Sequence, residues 1–142
     1  MKLVQHLLDA KGADVISIDE DTSVYDAIAL MAERSIGSLL VMNGEELKGI
    51  VTERDYARKV ILKGRSSETT PVGEVMSTAV ITAAPEQTVD ECMALMTDKR
   101  IRHLPVVAGN RVIGVISIGD LVQAIISDQQ EAIEQLENYI SG

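Results

Sequence analysis

The chain repeats itself. Val15 and Ile16 recur as Val80 and Ile81, Val24 as Val89, the run Ala29-Leu30-Met31 as Ala94-Leu95-Met96, and Ile36 as Ile101. Leu39 and Leu104, Val41 and Val106, Gly44 and Gly109, Gly49 and Gly114, and Asp55 and Asp120 continue the series, every pair 65 residues apart with no gap. Chance identity does not hold one offset over such a span, so the 142-residue chain is a tandem duplication. A single copy is marginal as an independent domain. The two copies are therefore expected to pack face to face with pseudo-two-fold symmetry, and the clefts between them are the expected ligand sites.

Within each copy a β-branched run, Val15 to Ile18 or Ala79 to Thr82, predicts a strand. Ser23 with Asp26, and Thr88 with Glu91, set a hydroxyl three residues before a carboxylate, the capping-box start of a helix. Apolar residues then fall at helical spacing: Val24, Ala27, Ile28 and Met31, then Val89, Cys92, Met93 and Met96. Leu39 to Met42 and Leu47 to Thr52 predict strands joined through Gly44, and Leu104 to Val107 and Val112 to Ser117 the same through Gly109. A second helix is predicted from Glu53 towards Lys63 and from Gly119 onward. The fold class is α/β (α+β), two β-α-β-β-α repeats with an extended C-terminal helix. Residues 1–65 hold the first repeat and its N-terminal lead-in, 66–71 the linker, and 72–142 the second repeat with its C-terminal extension. Val72 to Met76 resembles Val4 to Leu8, a lead-in turn for each copy.

Composition narrows the function. A net charge of -9 and 2% aromatic residues argue against nucleic acid, which asks for a basic footprint and stacking platforms. No stretch approaches the ~20 apolar residues of a membrane span, and the first residues lack the pattern of a cleaved leader. The expectation is a soluble protein of the bacterial or organellar interior, assigned to the cytoplasm and free of membrane partners. Cys92 takes the core-facing position of Ala27, which predicts a buried, inert thiol. With that one cysteine and only His6 and His103, neither a zinc site nor a Ser-His-Asp arrangement can be assembled, which argues against an enzyme. With no Phe and no Trp the interior must be aliphatic, and a flat ligand would lie between aliphatic side chains.

Chemistry concentrates after the last strand of each copy. Gly49-Ile50-Val51-Thr52-Glu53-Arg54-Asp55 and Gly114-Val115-Ile116-Ser117-Ile118-Gly119-Asp120 share the order Gly, two apolar residues, hydroxyl, two residues, Asp, opening a helix. A glycine lets another group approach the backbone, a hydroxyl at a helix start can bond phosphate beside free N–H groups, and an Asp can accept from a ribose diol. The same spacing is also an ordinary helix cap, as at Ser23/Asp26 and Thr88/Glu91. Nine of the thirteen Lys and Arg lie in two stretches, Arg54, Arg58, Lys59, Lys63, Arg65 and Lys99, Arg100, Arg102, Arg111, which suits small anionic ligands. Lys59, Lys63 and Arg111 are expected to be solvated.

Both motifs, with Val72-Gly73-Glu74-Val75-Met76 and Arg100-Ile101-Arg102-His103-Leu104-Pro105-Val106, resemble a tandem pair of cystathionine-β-synthase (CBS) domains. The resemblance covers essentially the whole chain, which is similar to stand-alone CBS-pair proteins of bacteria and of plant chloroplasts and mitochondria. It implies an adenosine ligand, AMP foremost, with ATP, ADP, NAD(H) or S-adenosylmethionine as alternatives, and no required cofactor. Thr52 and Ser117 would contact phosphate, Asp55 and Asp120 the ribose, and Arg102 and His103 a phosphate, with Arg54 and Gly119 completing the ligand-binding set. The first copy has Gly37 and Ser38 in place of Arg102 and His103, so the two sites are expected to be unequal.

Beyond Val122 a seam runs Val122, Ile126, Gln129, Ile133, Leu136, Ile140, spaced four, three, four, three, four. That is a heptad pattern with Gln129 as a polar register-setter. A helix folded back on its own domain competes equally with a coiled coil. The functional expectation is an energy- or redox-sensing regulatory module, a homodimer acting in trans on an unidentified protein. Its rival is a structural dimerisation module whose Ser/Thr and Asp residues only cap helices.

Overall fold

In the computed structural model, which describes residues 2–12 and 14–141, the chain runs α1 (Val4–Lys11), β1 (Ser17–Ile18), α2 (Val24–Arg34), β2 (Ser38–Asn43), β3 (Glu46–Thr52) and α3 (Glu53–Asp55). A π-helical segment, Tyr56–Ile61, and a 3-10 turn, Val72–Glu74, lead to α4 (Val89–Lys99), β4 (His103–Ala108), β5 (Arg111–Ser117) and α5 (Ile118–Ser141). The helices start where side chains replace missing backbone partners. Ser23 Oγ accepts the Asp26 N–H at 3.1 Å, and Thr88 and Glu91 form the full reciprocal box.

Helices α2 and α4 end alike. Ser35 and Arg100 both sit at φ 55° in the left-handed region, and the next residues, Ile36 and Ile101, donate back to the Met31 and Met96 carbonyls. The duplication has thus kept the same strained C-cap twice without a glycine.

The hairpins also repeat. β2 and β3 pair antiparallel with Leu39 opposite Val51 and Val41 opposite Gly49, and a bulge follows Val41. β1 runs parallel to β2, Ser17 and Ile18 pairing with Leu40 and Val41. The strand expected over Ala79 to Thr82 does not form. What remains is one parallel bridge, Ala83 with Val106, held by Ala83 N–H to Pro105 C=O and Val107 N–H to Ala83 C=O, both 2.9 Å. Pro105 stands where the first copy has Leu40 and carries no N–H, so the ladder cannot extend towards Ile81. The helix expected from Glu53 to Lys63 is present in the wider π winding, with Leu62 N–H reaching the Ala57 carbonyl at 3.1 Å.

Two compact units result: Val15–Ile81 with Asn110–Val112, and Met1–Asp14 with Thr82–Gly109 and Ile113–Gly142. In the first, Val24, Ala27, Met31, Leu39, Val41, Val51, Val60, Val72 and Val75 make an aliphatic core. In the second, Val4, Leu7, Leu8, Val89, Cys92, Met96, Leu104, Val106, Ile116 and Leu121 are buried.

These units cut across the sequence repeat. The lead-in 72–76 packs with the helices of the first copy: Val72 N–H donates to Thr22 C=O and Val24 N–H to Thr70 C=O, both 2.8 Å. The lead-in at residues 2–8 joins the helices of the second copy in the same way, through Val4 N–H to Gln87 C=O at 2.9 Å and Val89 N–H to Lys2 C=O at 3.0 Å. Each copy's lead-in therefore completes the unit built by the other copy.

Candidate functional site

The two Gly-to-Asp motifs end β3 and β5 and open the helices that follow. In the unit containing the first motif, Thr52 and Asp55 cap one another. Asp55 Oδ2 accepts the Thr52 N–H at 3.0 Å and its hydroxyl at 3.2 Å, while the Thr52 oxygen accepts the Asp55 N–H at 3.2 Å. Lys59, one turn on, lies 3.1 Å from Asp55 Oδ1 and donates to the Val75 carbonyl at 2.8 Å. Both carboxylate oxygens are thus engaged, and only 12% of the Asp55 side chain is exposed. Lys59 is not the freely solvated charge expected; its four-residue spacing from Asp55 was the available signal. Arg54 stands exposed beside them.

The second motif uses the same cap with a different cation. Ser117 N–H donates to Asp120 Oδ2 at 2.8 Å, and Asp120 N–H to Ser117 Oγ at 3.1 Å. Lys11, the last residue of α1, reaches the same Oδ2 at 2.6 Å and donates to the Val115 carbonyl at 2.9 Å. Among the described residues these contacts all meet Oδ2, so Oδ1 is the oxygen open to a ligand hydroxyl, and 26% of the Asp120 side chain is exposed. Burial pushes the Asp120 pKa up, but the Lys11 ammonium and the Ser117 N–H outweigh it and hold the carboxyl below its ordinary value.

Arg102 and His103 join this second group. Ile118 N–H donates to the Arg102 carbonyl at 2.8 Å, which ties the start of β4 to the start of α5. The first copy makes the same junction with Glu53 N–H and Gly37 C=O at 3.2 Å, but Gly37 and Ser38 bring no charge there. Burial lowers the His103 pKa below the usual histidine value; Asp120 works in the opposite direction, and Lys11 and Arg102 add to the lowering. The imidazole is therefore neutral near pH 7 and offers one N–H donor and one acceptor. Gly119 is exposed, and a Cβ there would meet only Ser117 Oγ, at 3.6 Å.

The motif glycines do admit an approaching group, but it is the protein's own lead-in. A Cβ at Gly114 would stand 2.6 Å from Leu8 Cδ2, and one at Gly49 would stand 2.7 Å from the Ser77 carbonyl oxygen and 2.8 Å from Met76 Sδ. Ile50 and Ser77 pair directly beside Gly49 through two backbone hydrogen bonds, of 3.0 and 2.9 Å. Glycine here serves packing between segments far apart in sequence.

Sequence reasoning missed Lys11. No local pattern connects it to Asp120, 109 positions away. Cys92 is buried, and burial, reinforced by Glu91, raises its thiol pKa, which leaves it protonated and unreactive. No helix among the described residues is long and apolar enough to cross a membrane.

The family model of the CBS domain matches twice, at residues 10–62 and 72–127. The mitochondrial CBS domain-containing protein CBSX3 of Arabidopsis thaliana is 46% identical over 127 residues, 86% of this chain and 62% of its own length. The chain thus spans less than two thirds of that relative. Among solved structures, a putative signal-transduction protein with CBS domains from Burkholderia ambifaria superposes with TM-score 0.87 at 53% identity, over 90% of this chain and 96% of its own. The CBS domain pair of protein MJ0100, solved in complex with methylthioadenosine and S-adenosyl-L-methionine, superposes with TM-score 0.79 at 25% identity, over 90% of this chain and 98% of its own.

Proposed function

The chain belongs to the CBS domain family and carries two copies of its module, and from that premise we propose that it binds adenosine nucleotides and regulates a partner protein in trans, without catalysis of its own. The observation that carries this reading is the second motif. There a hydroxyl at a helix start, a carboxylate with one open oxygen, and the cationic or polar groups of Arg102, His103 and Lys11 stand together. The Ser117 hydroxyl and the Gly119 N–H in the first turn of α5 would receive phosphate, Asp120 Oδ1 the ribose diol, and Arg102 and His103 further phosphate oxygens. Thr52, Arg54 and Asp55 would take the same parts in a weaker site, since both Asp55 oxygens are already committed.

The ligand class finds support in the adenosine derivatives held by the MJ0100 pair. AMP is our first choice, ahead of ATP, ADP, NAD(H) and S-adenosylmethionine. The cytoplasm is the compartment we assign. A ligand can pass its occupancy to a partner only through different affinities for two states of the module.

Titration tests the reading. Ligand at a hundredfold excess over its dissociation constant adds about 2.7 kcal/mol, or about 5–10 °C in Tm for a domain this size. Asp120→Asn, which keeps an oxygen to cap Ser117 but removes the charge, weakens binding about tenfold to a hundredfold, and Asp55→Asn weakens it less. A flat Tm with all five ligands overturns the proposal. It would favour the second reading, a dimerisation module whose Thr52/Asp55 and Ser117/Asp120 pairs act only as the helix caps they already form.

A further inference from the structure

Lys11 ends a helix that is anchored along its length. Val4, Leu7 and Leu8 of α1 are buried. Leu8 lies over Gly114, where a Cβ would stand 2.6 Å from its Cδ2, and the Gly12 N–H returns to the Leu8 carbonyl at 2.9 Å. The lysine side chain is fixed as well, donating to the Val115 carbonyl at 2.9 Å and meeting Asp120 Oδ2 at 2.6 Å. The rotamer entropy of its long stem is therefore lost on folding and not again on binding.

An ammonium has three donors and no acceptor. Two are used, and among the described residues no other acceptor meets the third, on a side chain that is 40% exposed. The Ser117 N–H donates to the same Oδ2 at 2.8 Å, so the free donor stands close to the hydroxyl that would hold phosphate.

Charge points the same way. Lys11 and Arg102 set two cations against the one carboxylate of Asp120, around a neutral His103. The group thus keeps an unbalanced positive charge even with the Lys11–Asp120 pair intact. Such a cluster favours an anion and disfavours a cation. The first motif commits its lysine differently: Lys59 lies 3.1 Å from Asp55 Oδ1, the oxygen that stays open in Asp120, and Gly37 and Ser38 supply no counterpart to Arg102.

Resting on the nucleotide reading above, we propose that Lys11 is the residue that makes the second site selective for phosphorylated adenosine ligands over those that carry a positive sulfonium. Asp120 recognises the ribose diol that all these ligands share. Lys11 adds a fixed positive charge that only an anionic ligand can use, and it offsets the carboxylate that would otherwise attract a cation. Selectivity here is a difference of two affinities, and one side chain acts on both.

Calorimetric titration of the full chain with AMP and with S-adenosylmethionine tests it. Lys11→Met is expected to weaken AMP binding about tenfold to a hundredfold, the loss of one hydrogen bond to a charged group, and to leave S-adenosylmethionine as tight or tighter. Lys11→Arg, which keeps the charge, retains AMP affinity within about threefold of wild type. Raising the ionic strength weakens AMP binding more steeply in the wild type than in Lys11→Met. AMP binding that ignores Lys11→Met, an equal loss of both ligands, or a loss in Lys11→Arg as large as in Lys11→Met would each overturn the proposal while leaving the nucleotide reading in place. A wild type that binds neither ligand overturns that reading, and this proposal with it.

Discussion

Lys11 Nζ lies 2.6 Å from Asp120 Oδ2, so the end of the first helix supplies the counter-charge for a carboxylate near the start of the last. At the equivalent place in the first copy Asp55 takes its cation from Lys59 on its own helix. The repeat preserves the acid and finds the base by two routes. With the lead-in offset of 68 that relates Val4 to Val72, the counterpart of Lys11 is Ala79.

Removing that base has a defined pH signature. Asp120 is held below its ordinary value of 3.8, so the stability it contributes is present above that pH and is lost as pH falls through the lower folded value. In Lys11→Met the burial that raises the pKa loses its main opponent. Stability then begins to fall at a higher pH on the acid side, and at neutral pH the pair's loss costs about 1 kcal/mol or less, because both side chains are partly exposed. Tm measured from about pH 3 to 7 checks this; superimposable curves for the two proteins would contradict it.

His103 acts in a separate window. Its folded pKa lies below 6.5, so the unfolded chain takes up the proton first and stability declines as pH drops below that value. His103→Gln keeps a polar side chain without the titration and is expected to flatten the Tm curve between about pH 7 and 5. Persistence of the wild-type slope would show that another group causes it.

The motif glycines are expected to differ on substitution. Gly114→Ala meets the end of a leucine side chain that can turn aside, whereas Gly49→Ala meets a backbone oxygen held in a two-bond pairing. We expect about 1 kcal/mol of destabilisation for the former and about 2–3 kcal/mol for the latter. Denaturant midpoints read the difference, and equal costs would mean that the lead-in at Ser77 yields as easily as Leu8.

Ser35 and Arg100 offer the opposite sign. A non-glycine residue in the left-handed region costs about 1–2 kcal/mol, part of which glycine returns through its freer unfolded chain. Ser35→Gly and Arg100→Gly should each stabilise the protein by about 0.5–1 kcal/mol in urea unfolding. A loss of stability at Arg100 would reveal a contact of its guanidinium worth more than the backbone strain.

Much of this protein is written locally. The helix starts at Ser23, Thr52, Thr88 and Ser117 and the turns at Gly44 and Gly109 depend on residues within a few positions of each other, the offset of 65 on periodicity alone, and a reader of the chain can find them all. Pro105 also carried a local signal, since a residue without an N–H cannot hold the strand expected over Ala79 to Thr82. The candidate site was legible as a pair of motifs, Thr52/Asp55 and Ser117/Asp120, but not as a site. Periodicity assigned each lead-in to its own copy, and only packing placed residues 2–8 with the second copy's helices and 72–76 with the first's.

Everything that makes the two motifs unequal follows from that exchange and from the side chains beside it. The lead-in brings Leu8 over Gly114 and Lys11 to Asp120, and β4 brings His103 into the same electrostatic neighbourhood. The sequence by itself determined the repeat, the helix caps and the turns, because these rest on short-range hydrogen bonds and periodicity. The tertiary structure alone decided that Lys11 is the cation meeting Asp120, because that depends on burying apolar surface between segments more than a hundred residues apart.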